Sequence, residues 1–404
     1  MKNEPLYLSA REASAELSIS PASLYAYVSR GLIRSEPSPD SRSHRYRAED
    51  VRALKARRAP GGDSRAFNFD ADFPLLDSAI STFTEDGPLY RGVPCVSLSL
   101  SASLEHAATL LWDAAAADPF ADDNLPILSP AMAEIMRAAA AAPAVDRAVA
   151  VLALAGDADP RAFNRVPEGR AATGARILRL VAAAMTDGQP SAVPVHRQIA
   201  RRWSHSDPQA EDLLRRALVL LADHELNAST FTVRCAASTG ISLYDAVIAG
   251  LVAVKGPRHG GAGARAAQFV AQLRHADAGA IVRERVALGE QLPGFGHGIY
   301  AKGDPRAREL LAVLGRAGAE PKLVRDVPSK VIEAIGEAPN IDYALAVLTT
   351  TLGMPANSEL PLFAMARTVG WIAHAMEQMQ TGGLIRPRAR YIGPAPGKMA
   401  ALKR

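Results

Sequence analysis

Three histidines lie in short polar or glycine-rich segments where an imidazole could do chemistry. His224 stands in HELNAST, His259 in KGPRHGG and His297 in PGFGHGIYAKGDPRA. Histidine is the side chain best suited to donating or accepting a proton near neutral pH. The apolar pattern of residues 246–254 predicts a buried helical segment, with His224 and His259 held at its opposite ends. Taken alone, His224 could instead cap a helix and His259 lie in an ordinary loop.

One carboxylate and several isolated arginines accompany these histidines. The segment PNIDY puts Asp342 at the head of a predicted helix over residues 344–351. Arg367 lies on an apolar helical segment, where a guanidinium is costly to bury without an anionic partner. Arg386 and Arg388 follow in a segment rich in proline and glycine. These groups favour a functional site over chance.

The loop around His297 is rich in glycine. Gly294, Gly296 and Gly298 surround Phe295 and His297. Glycines let the backbone approach a ligand closely, and we expect them to leave amide groups free to bind it. By contrast, Asp304 is expected to be a turn or capping carboxylate, and His374, on an apolar helix, a core residue.

The composition predicts a mostly helical protein of the cytoplasm. The chain has 404 residues, of which 48% are hydrophobic and only 5% aromatic, and its many alanines favour packed helices over sheets. Two cysteines without a CxxC spacing predict neither a disulfide framework nor a metal site. The amino terminus lacks a signal-peptide core, and no apolar run reaches the roughly 18 residues of a membrane helix.

Positive charge is concentrated in the first sixty residues, which hold eleven Lys/Arg and seven Asp/Glu. The capping box formed by Ser9 and Glu12 predicts a helix from Ala10 to Leu17. A second helix should begin after Ser20, and a third should cover residues 49–58. Between them, residues 32–34 and 45–47 flank a Ser/Pro/Asp-rich loop and predict a small β-wing. This order is typical of DNA-binding domains.

SPASLYAYVSRGLI followed by SHRYRAEDVRAL resembles the MerR/excisionase winged helix-turn-helix family over about fifty residues. The resemblance implies that Ser23, Tyr25 and Arg30 face a DNA groove, and that Arg45 and Arg47 on the wing contact phosphates. The alternative is an accessory domain that binds nothing.

The later segments HELNAST, KGPRHGG, PGFGHGIYAKGDPRA, PNIDY, ARTVGWIAH and IRPRARYIG resemble citrate synthase, in that family's order and at about its spacings. The resemblance runs from about residue 76 to 393. It implies a mainly α, two-domain helical core that forms a homodimer. The large domain would take residues 67–259 and 352–404 and the small domain 260–351, behind a helix-turn-helix domain at 1–60 and a linker at 61–66.

The same resemblance implies condensation of acetyl-CoA with oxaloacetate to citrate and CoA, without a tightly bound cofactor. Asp342 would remove the methyl proton, His259 would stabilise the enol, and His297 would polarise and then protonate the oxaloacetate carbonyl. Oxaloacetate would be held by one imidazole and three guanidinium groups, those of His224, Arg306, Arg367 and Arg386. Arg386 would come from the partner subunit. Arg388 is an alternative to Arg386.

Coenzyme A would lie against the loop formed by Pro293, Gly294, Phe295 and Gly296. Ala301 stands where the family often has a basic residue, so Lys302 would have to supply that phosphate contact; Gly263 also departs from the family pattern. No residue separates acetyl-CoA from the propionyl-CoA used by 2-methylcitrate synthases. A DNA-binding regulator that senses a metabolite through the same fold is a further alternative.

Overall fold

The computed structural model describes residues 7–17, 24–25, 27–28, 33–38, 43–51, 54, 76–204, 208–300, 302–387, 389 and 391. The chain forms two compact units, Met1–Asp70 and Ala71–Arg404. The predicted linker at 61–66 and the residues Ser23, Arg30, Ala301 and Arg388 lie outside the described residues.

The amino-terminal unit contains a three-stranded antiparallel sheet and helix α1 (Ala10–Leu17). Strand β3 (His44–Arg47) is central and pairs with β1 (Tyr7–Ser9) and β2 (Ser35–Pro37). Helix α1 has the predicted bounds and capping box, since the amide of Ser9 donates to Glu12 at 2.8 Å. The unit has an apolar core of its own, made by Ala13, Leu17, Leu24, Ile33, Tyr46 and Val51.

The predicted wing is a pair of strands, but its first strand begins at Ser35 rather than at residue 32. Arg34 precedes that strand; its amide and its guanidinium both donate to Asp50 at 2.7–2.9 Å, while its carbonyl accepts from the amide of Arg47 in β3. Residues 24–25, 27–28, 48–51 and 54 are helical, in line with the predicted second and third helices as far as they are described.

The second unit begins with a small antiparallel sheet and continues almost entirely as helices, as the composition predicted. Strands β4 (Ser81–Thr84), β5 (Gly87–Tyr90) and β6 (Val93–Pro94) pair in that order. The described helices are α2 Cys95–Ser99, α3 Leu104–Leu111, α4 Pro130–Ala138, α5 Ala144–Ala158, α6 Pro167–Thr186, α7 Val195–Trp203, α8 Pro208–Leu221, α9 Ala228–Ala237, α10 Leu243–Val254, α11 Ala262–His275, α12 Ala278–Ala287, α13 Pro305–Arg316, α14 Val327–Ile335, α15 Ile341–Thr351 and α16 Glu359–Thr381. The 3₁₀ turn Asp122–Asn124 and the π-helical turn Lys322–Asp326 complete the set.

Helices α6 and α16 are buried along most of their length and form the centre of this unit. Glycine permits the close approach of their neighbours: a Cβ at Gly174 would lie 2.9 Å from Ile372, and one at Gly250 would lie 2.7 Å from the Trp371 ring. Residues 71–404 form one compact unit, so the division into large and small domains stays a prediction. None of the helices described here is both long and apolar enough to span a membrane.

The segment between His224 and His259 differs from expectation, because it contains two helices. Helix α9 ends at Ala237, the chain turns at Gly240 with φ of +86°, and α10 starts behind the N-cap Ser242. The two helices fold back on each other as a hairpin. His224 and His259 therefore lie at the same end of the hairpin, and the prediction of opposite ends is wrong.

Candidate active site

Two loops joined to each other carry His297 and Asp342. The amide of Gly296 donates to Ala338 O at 2.9 Å, and the amide of Asn340 donates to Gly294 O at 2.8 Å. The side-chain amide of Asn340 also donates to Gly296 O at 3.0 Å, and its Oδ1 caps α15. These hydrogen bonds join the two loops and so fix the position of His297 relative to Asp342.

The glycines of this loop act differently from the prediction. Gly294 and Gly296 have φ of +86° and +77°, and a Cβ at Gly294 would lie 2.8 Å from Cβ of Tyr343. The amides of Phe295 and Gly296 are bonded to Leu292 O and Ala338 O, so these two are not free to bind a ligand. The glycines serve the close contact between the two loops.

His297 and His224 meet in a cluster of rings. Their ring centroids are 5.5 Å apart, and the Tyr300 ring lies 4.6 Å from that of His297. The Tyr300 hydroxyl is 3.0 Å from Nε2 of His224, and the Phe83 ring lies 4.6 Å from that of His224. Tyr300 and Phe83 were not predicted from the sequence; the Tyr in HGIY was the available signal for the first, while nothing marked the second.

The neighbours of His297 fix where its proton lies. The amide of Ile299 donates to Nδ1 of His297 at 3.1 Å, and an amide can only donate, so Nδ1 accepts and the proton lies on Nε2. Burial, reinforced by the charge of Arg306, lowers the pKa of His297 to about 4. At neutral pH this imidazole is an uncharged hydrogen-bond donor through Nε2.

His259 is half-buried after the end of α10 and is bonded to α9. Its Nε2 lies 2.7 Å from Oγ of Ser229, which in turn accepts a hydrogen bond from the Trp371 indole at 3.0 Å. Burial, with a contribution from Arg367, lowers its pKa to about 4, so this imidazole too is neutral. Ser229 and Trp371 were missed, although both stand within quoted motifs.

Arg306 lies at the start of α13, almost fully buried. Asp304, the N-cap of α13, forms a two-point ion pair with it at 2.8–3.0 Å and also accepts from the amide of Ile341 at 3.1 Å. Burial disfavours the charge, but Asp304 outweighs it and raises the pKa of Arg306. Asp304 is thus the capping residue predicted and, in addition, ties Arg306 to the helix of Asp342.

Arg367 lies midway along α16, 1% exposed. Its Nε donates to Leu221 O at 2.9 Å, and among the described residues its Nη1 has no hydrogen-bond partner. Burial lowers its pKa to about 10, against the attraction of Asp223. A buried N–H group without a partner is unfavourable unless a ligand completes it. The arrangement suits a carboxylate.

Asp342 is the second residue of α15 and is half-buried beside these cations. Burial raises its pKa to about 6, with Arg306 opposing the shift and Asp304 adding to it. A carboxylate whose pKa lies near the working pH suits proton abstraction.

These side chains lie close enough together for their charges to interact. The charge of Arg306 influences the pKa of His224, His297 and Asp342, and that of Arg367 influences those of His224 and His259. The imidazole of His224 is buried most deeply, which holds its pKa well below the usual value. The residues predicted on separate segments thus lie in one cluster of two guanidinium groups, three neutral imidazoles and one carboxylate, which we call the pocket.

The other predicted residues lie outside this pocket or at its edge. Lys302 is exposed and forms an ion pair with Glu85 at 2.9 Å. Arg386 is exposed on the segment after α16. His374 is fully buried, as expected, between Arg234 and Asp223. Within the described ranges, no three His, Cys, Asp or Glu side chains are grouped so that they could hold a metal ion.

Known proteins provide an independent comparison. The family described as "Citrate synthase, C-terminal domain" matches residues 71–388. A putative citrate synthase 2 of Mycobacterium tuberculosis is 37% identical over 210 residues, which are 48% of this chain and 55% of that protein. A 2-methylcitrate synthase of Shewanella oneidensis is 34% identical over 192 residues, 45% of this chain and 51% of that protein.

Comparison with solved structures indicates the same family over a longer part of the chain. The crystal structure of citrate synthase from Thermotoga maritima superposes with a TM-score of 0.67 at 26% identity, covering 82% of this chain and 97% of that one. The chain spans about half the length of the curated relatives it matches in sequence. Since the family match covers most of residues 71–404, the chain belongs to the citrate synthase family.

Proposed function

We propose that the chain condenses an acyl-CoA, acetyl-CoA in the first place, with oxaloacetate to give citrate and CoA. The observation that carries the proposal is the pocket in which Arg306 and Arg367 are buried beside neutral imidazoles and Asp342. Oxaloacetate has two carboxylates, and guanidinium groups bind carboxylates through two parallel hydrogen bonds. Nη1 of Arg367, which has no hydrogen-bond partner in the described part of the chain, and the burial of both cations support binding of a dianion.

The reaction needs a base, two hydrogen-bond donors and a water molecule. Asp342 takes a proton from the methyl group of the thioester, while His259 donates to the thioester oxygen as the enol forms. The enol carbon attacks the ketone carbon of oxaloacetate, and Nε2–H of His297 protonates the resulting alkoxide. Water then hydrolyses the citryl thioester, which releases citrate and CoA. One well-placed donor of this kind contributes about 3–4 kcal/mol to the transition state.

CoA itself is a co-substrate in this proposal. We assign its adenine to the Pro293–Gly296 loop, in which Pro293, Gly294 and Gly296 are half-buried. We assign Lys302, which follows this loop in the sequence, to a CoA phosphate; it would have to leave its exposed ion pair with Glu85. Such exposed pairs contribute little to stability, so the exchange costs little.

A direct test measures thiol release from acetyl-CoA with oxaloacetate. Asp342→Asn should lower kcat by about a thousandfold, because a positioned base contributes about 10² to 10⁴ in rate. Oxaloacetate binding, measured by calorimetry, should persist. In the wild type, kcat/KM for acetyl-CoA should fall about tenfold per pH unit below pH 6, because protonation of Asp342 removes the base.

Asp326→Asn, the same change at an exposed aspartate, is the matched control and should leave kcat unchanged. The ratio of kcat/KM for acetyl-CoA and propionyl-CoA decides the acyl group, since one methylene is worth about 1–3 kcal/mol in a pocket. A large preference for propionyl-CoA would make the protein a 2-methylcitrate synthase. Absence of thiol release with either thioester would overturn the enzymatic proposal.

We further propose a homodimer in which Arg386 completes the partner's site. The amide of Ile385 donates to Oγ of Ser238 at 3.1 Å, and Ser238 is the C-cap of α9. His224 lies before the other end of that ten-residue helix, about 15 Å away along its axis. This separation supports a role for Arg386 in trans rather than in its own pocket.

Hybrid dimers test this arrangement. Asp342→Asn and Arg386→Ala chains, each nearly inactive alone, should regain activity when co-expressed, because one of the two sites then has both groups. Hybrids of Asp342→Asn with His259→Asn should stay inactive, because both residues serve their own protomer. Recovery in neither mixture would show that Arg386 serves its own chain.

The amino-terminal unit supports a second candidate function, DNA binding, with the whole protein acting as a metabolite-responsive regulator. The observation behind it is the strand pair that carries Arg45 and Arg47 in a domain with its own core. Tyr25 is 58% exposed on the second helix. Glu36 lies 3.4–3.5 Å from both arginines, so phosphates would have to compete with one carboxylate.

Selection from a random duplex pool, followed by fluorescence anisotropy, tests this candidate. Replacing Arg45 and Arg47 with glutamine should weaken binding to every selected sequence and reduce the salt dependence by about two phosphate contacts. Arg316→Gln, an exposed change outside this unit, is the control. No enrichment at low salt would leave the unit as an accessory domain without DNA binding.

A further inference from the structure

A series of three hydrogen-bonding groups leads from the middle of α16 to His259. The Trp371 ring is fully buried, and its indole N–H donates to Oγ of Ser229 at 3.0 Å. Ser229 is fully buried as well, and its Oγ lies 2.7 Å from Nε2 of His259. Of these three, only His259 is used in the reaction above.

Which group donates and which accepts in this series follows from the hydrogen-bonding capacity of each side chain. An indole N–H can only donate, so Ser229 must accept from Trp371 and has one hydrogen left to place. Two acceptors are within reach, namely Nε2 of His259 at 2.7 Å and Oδ1 of Asn227 at 2.9 Å. Oδ1 of Asn227 already accepts from the amide of Thr230 as the N-cap of α9.

The two placements give opposite tautomers of His259. If Ser229 donates to His259, Nε2 is unprotonated and the ring proton lies on Nδ1. If Ser229 donates to Asn227, Nε2 must carry the proton and donate to Ser229, which leaves Nδ1 without one. The Trp371 N–H occupies one lone pair of Ser229 and makes its hydroxyl a better donor, so it favours the first arrangement.

We propose that Trp371 is a positioning residue that, through Ser229, keeps the ring proton of His259 on Nδ1 and so aims a hydrogen-bond donor at the reacting thioester. The inference rests on the proposed function for the use of that donor, while the tautomer itself is independent of it. In this arrangement Nε2 is bound to Ser229, and Nδ1 is the nitrogen left for the substrate.

Packing holds the indole in place for this task. A Cβ at Gly250 of α10 would lie 2.7 Å from the Trp371 ring and 2.9 Å from Val233, so glycine leaves the room that the ring fills. The ring is thereby clamped between α9 and α10, the two helices of the hairpin that bring Ser229 and His259 together.

The test is a long-range ¹H–¹⁵N spectrum of the full chain labelled with ¹⁵N-histidine, in which the two tautomers give different nitrogen shifts. The His259 signals are assigned by their loss in His259→Asn. In the wild type, His259 should carry its proton on Nδ1. Trp371→Phe keeps most of the ring but loses the N–H, and it should shift His259 towards the Nε2–H tautomer. It should also lower kcat about tenfold with an unchanged KM for oxaloacetate.

Trp112→Phe is the matched control. Trp112 is also buried, and its indole N–H donates to Val369 O at 2.9 Å, so the variant loses an equivalent hydrogen bond without a link to His259. It should leave the His259 tautomer and kcat unchanged. Ser229→Ala is the second variant, and it should change the tautomer by itself; Trp371→Phe should then add nothing further to it.

An unchanged tautomer in Trp371→Phe or in Ser229→Ala overturns the inference, as does an equal shift in Trp112→Phe, which would trace the change to loosened packing. A shift confined to Trp371→Phe and Ser229→Ala, in a protein that cleaves neither acetyl-CoA nor propionyl-CoA, would support the positioning role while the proposed function fails.

Discussion

The burial of two guanidinium groups is the constraint on which the rest of this site depends. Arg306 and Arg367 are 2% and 1% exposed, and burying a charge without full compensation is strongly unfavourable. Asp304 compensates Arg306 closely, but Asp223 acts on Arg367 only at a distance, and no described residue accepts a hydrogen bond from Nη1 of Arg367. Arg367 is therefore a buried cation without a directly paired carboxylate, and a dicarboxylate can complete its hydrogen bonds.

Burial sets the protonation state of the neighbouring groups, and the charges of the two arginines add to its effect on the histidines. Burial lowers the pKa of His224, His259 and His297, and the positive charge of Arg306, Arg367 or both lowers it further. At neutral pH all three are uncharged, which is the state in which an imidazole can donate a hydrogen bond next to a forming enol or alkoxide. Asp342 is subject to the opposite balance, because burial raises its pKa to about 6 even though Arg306 lowers it. One environment thus produces donors that stay neutral and a base close to its working range.

Much of this arrangement could be predicted from the sequence, because the chemistry is concentrated in short motifs. The helical class, the capping box at Ser9 and the place of Asp342 at the head of a helix followed from local residue patterns, whereas the site residues were predicted from the resemblance of their motifs to citrate synthase. The hairpin of α9 and α10 was missed although the sequence marks its turn, with Gly240 and with Ser242, the N-cap of α10. The amides of Phe295 and Gly296 were wrongly expected to be free, since the first bonds to Leu292 in its own loop and the second to Ala338, 42 residues away.

The supporting residues were the hardest to find. Tyr300, Ser229, Trp371 and Phe83 have no distinctive spacing, and their importance comes from contacts between distant segments. Asp304 was expected only to cap a helix, and its ion pair with Arg306 needed the helix geometry to be known.

The most direct measurement compares oxaloacetate binding by isothermal titration calorimetry in the wild type and in Arg367→Met. Methionine is apolar and fills much of the same space, so the fold should persist without the buried charge. The wild type should bind one oxaloacetate per protomer, and the variant should lose at least about thirtyfold in affinity, because truncating a buried charge partner removes about 2 kcal/mol or more. Equal affinity in the two proteins would contradict the view that this buried guanidinium organises the site.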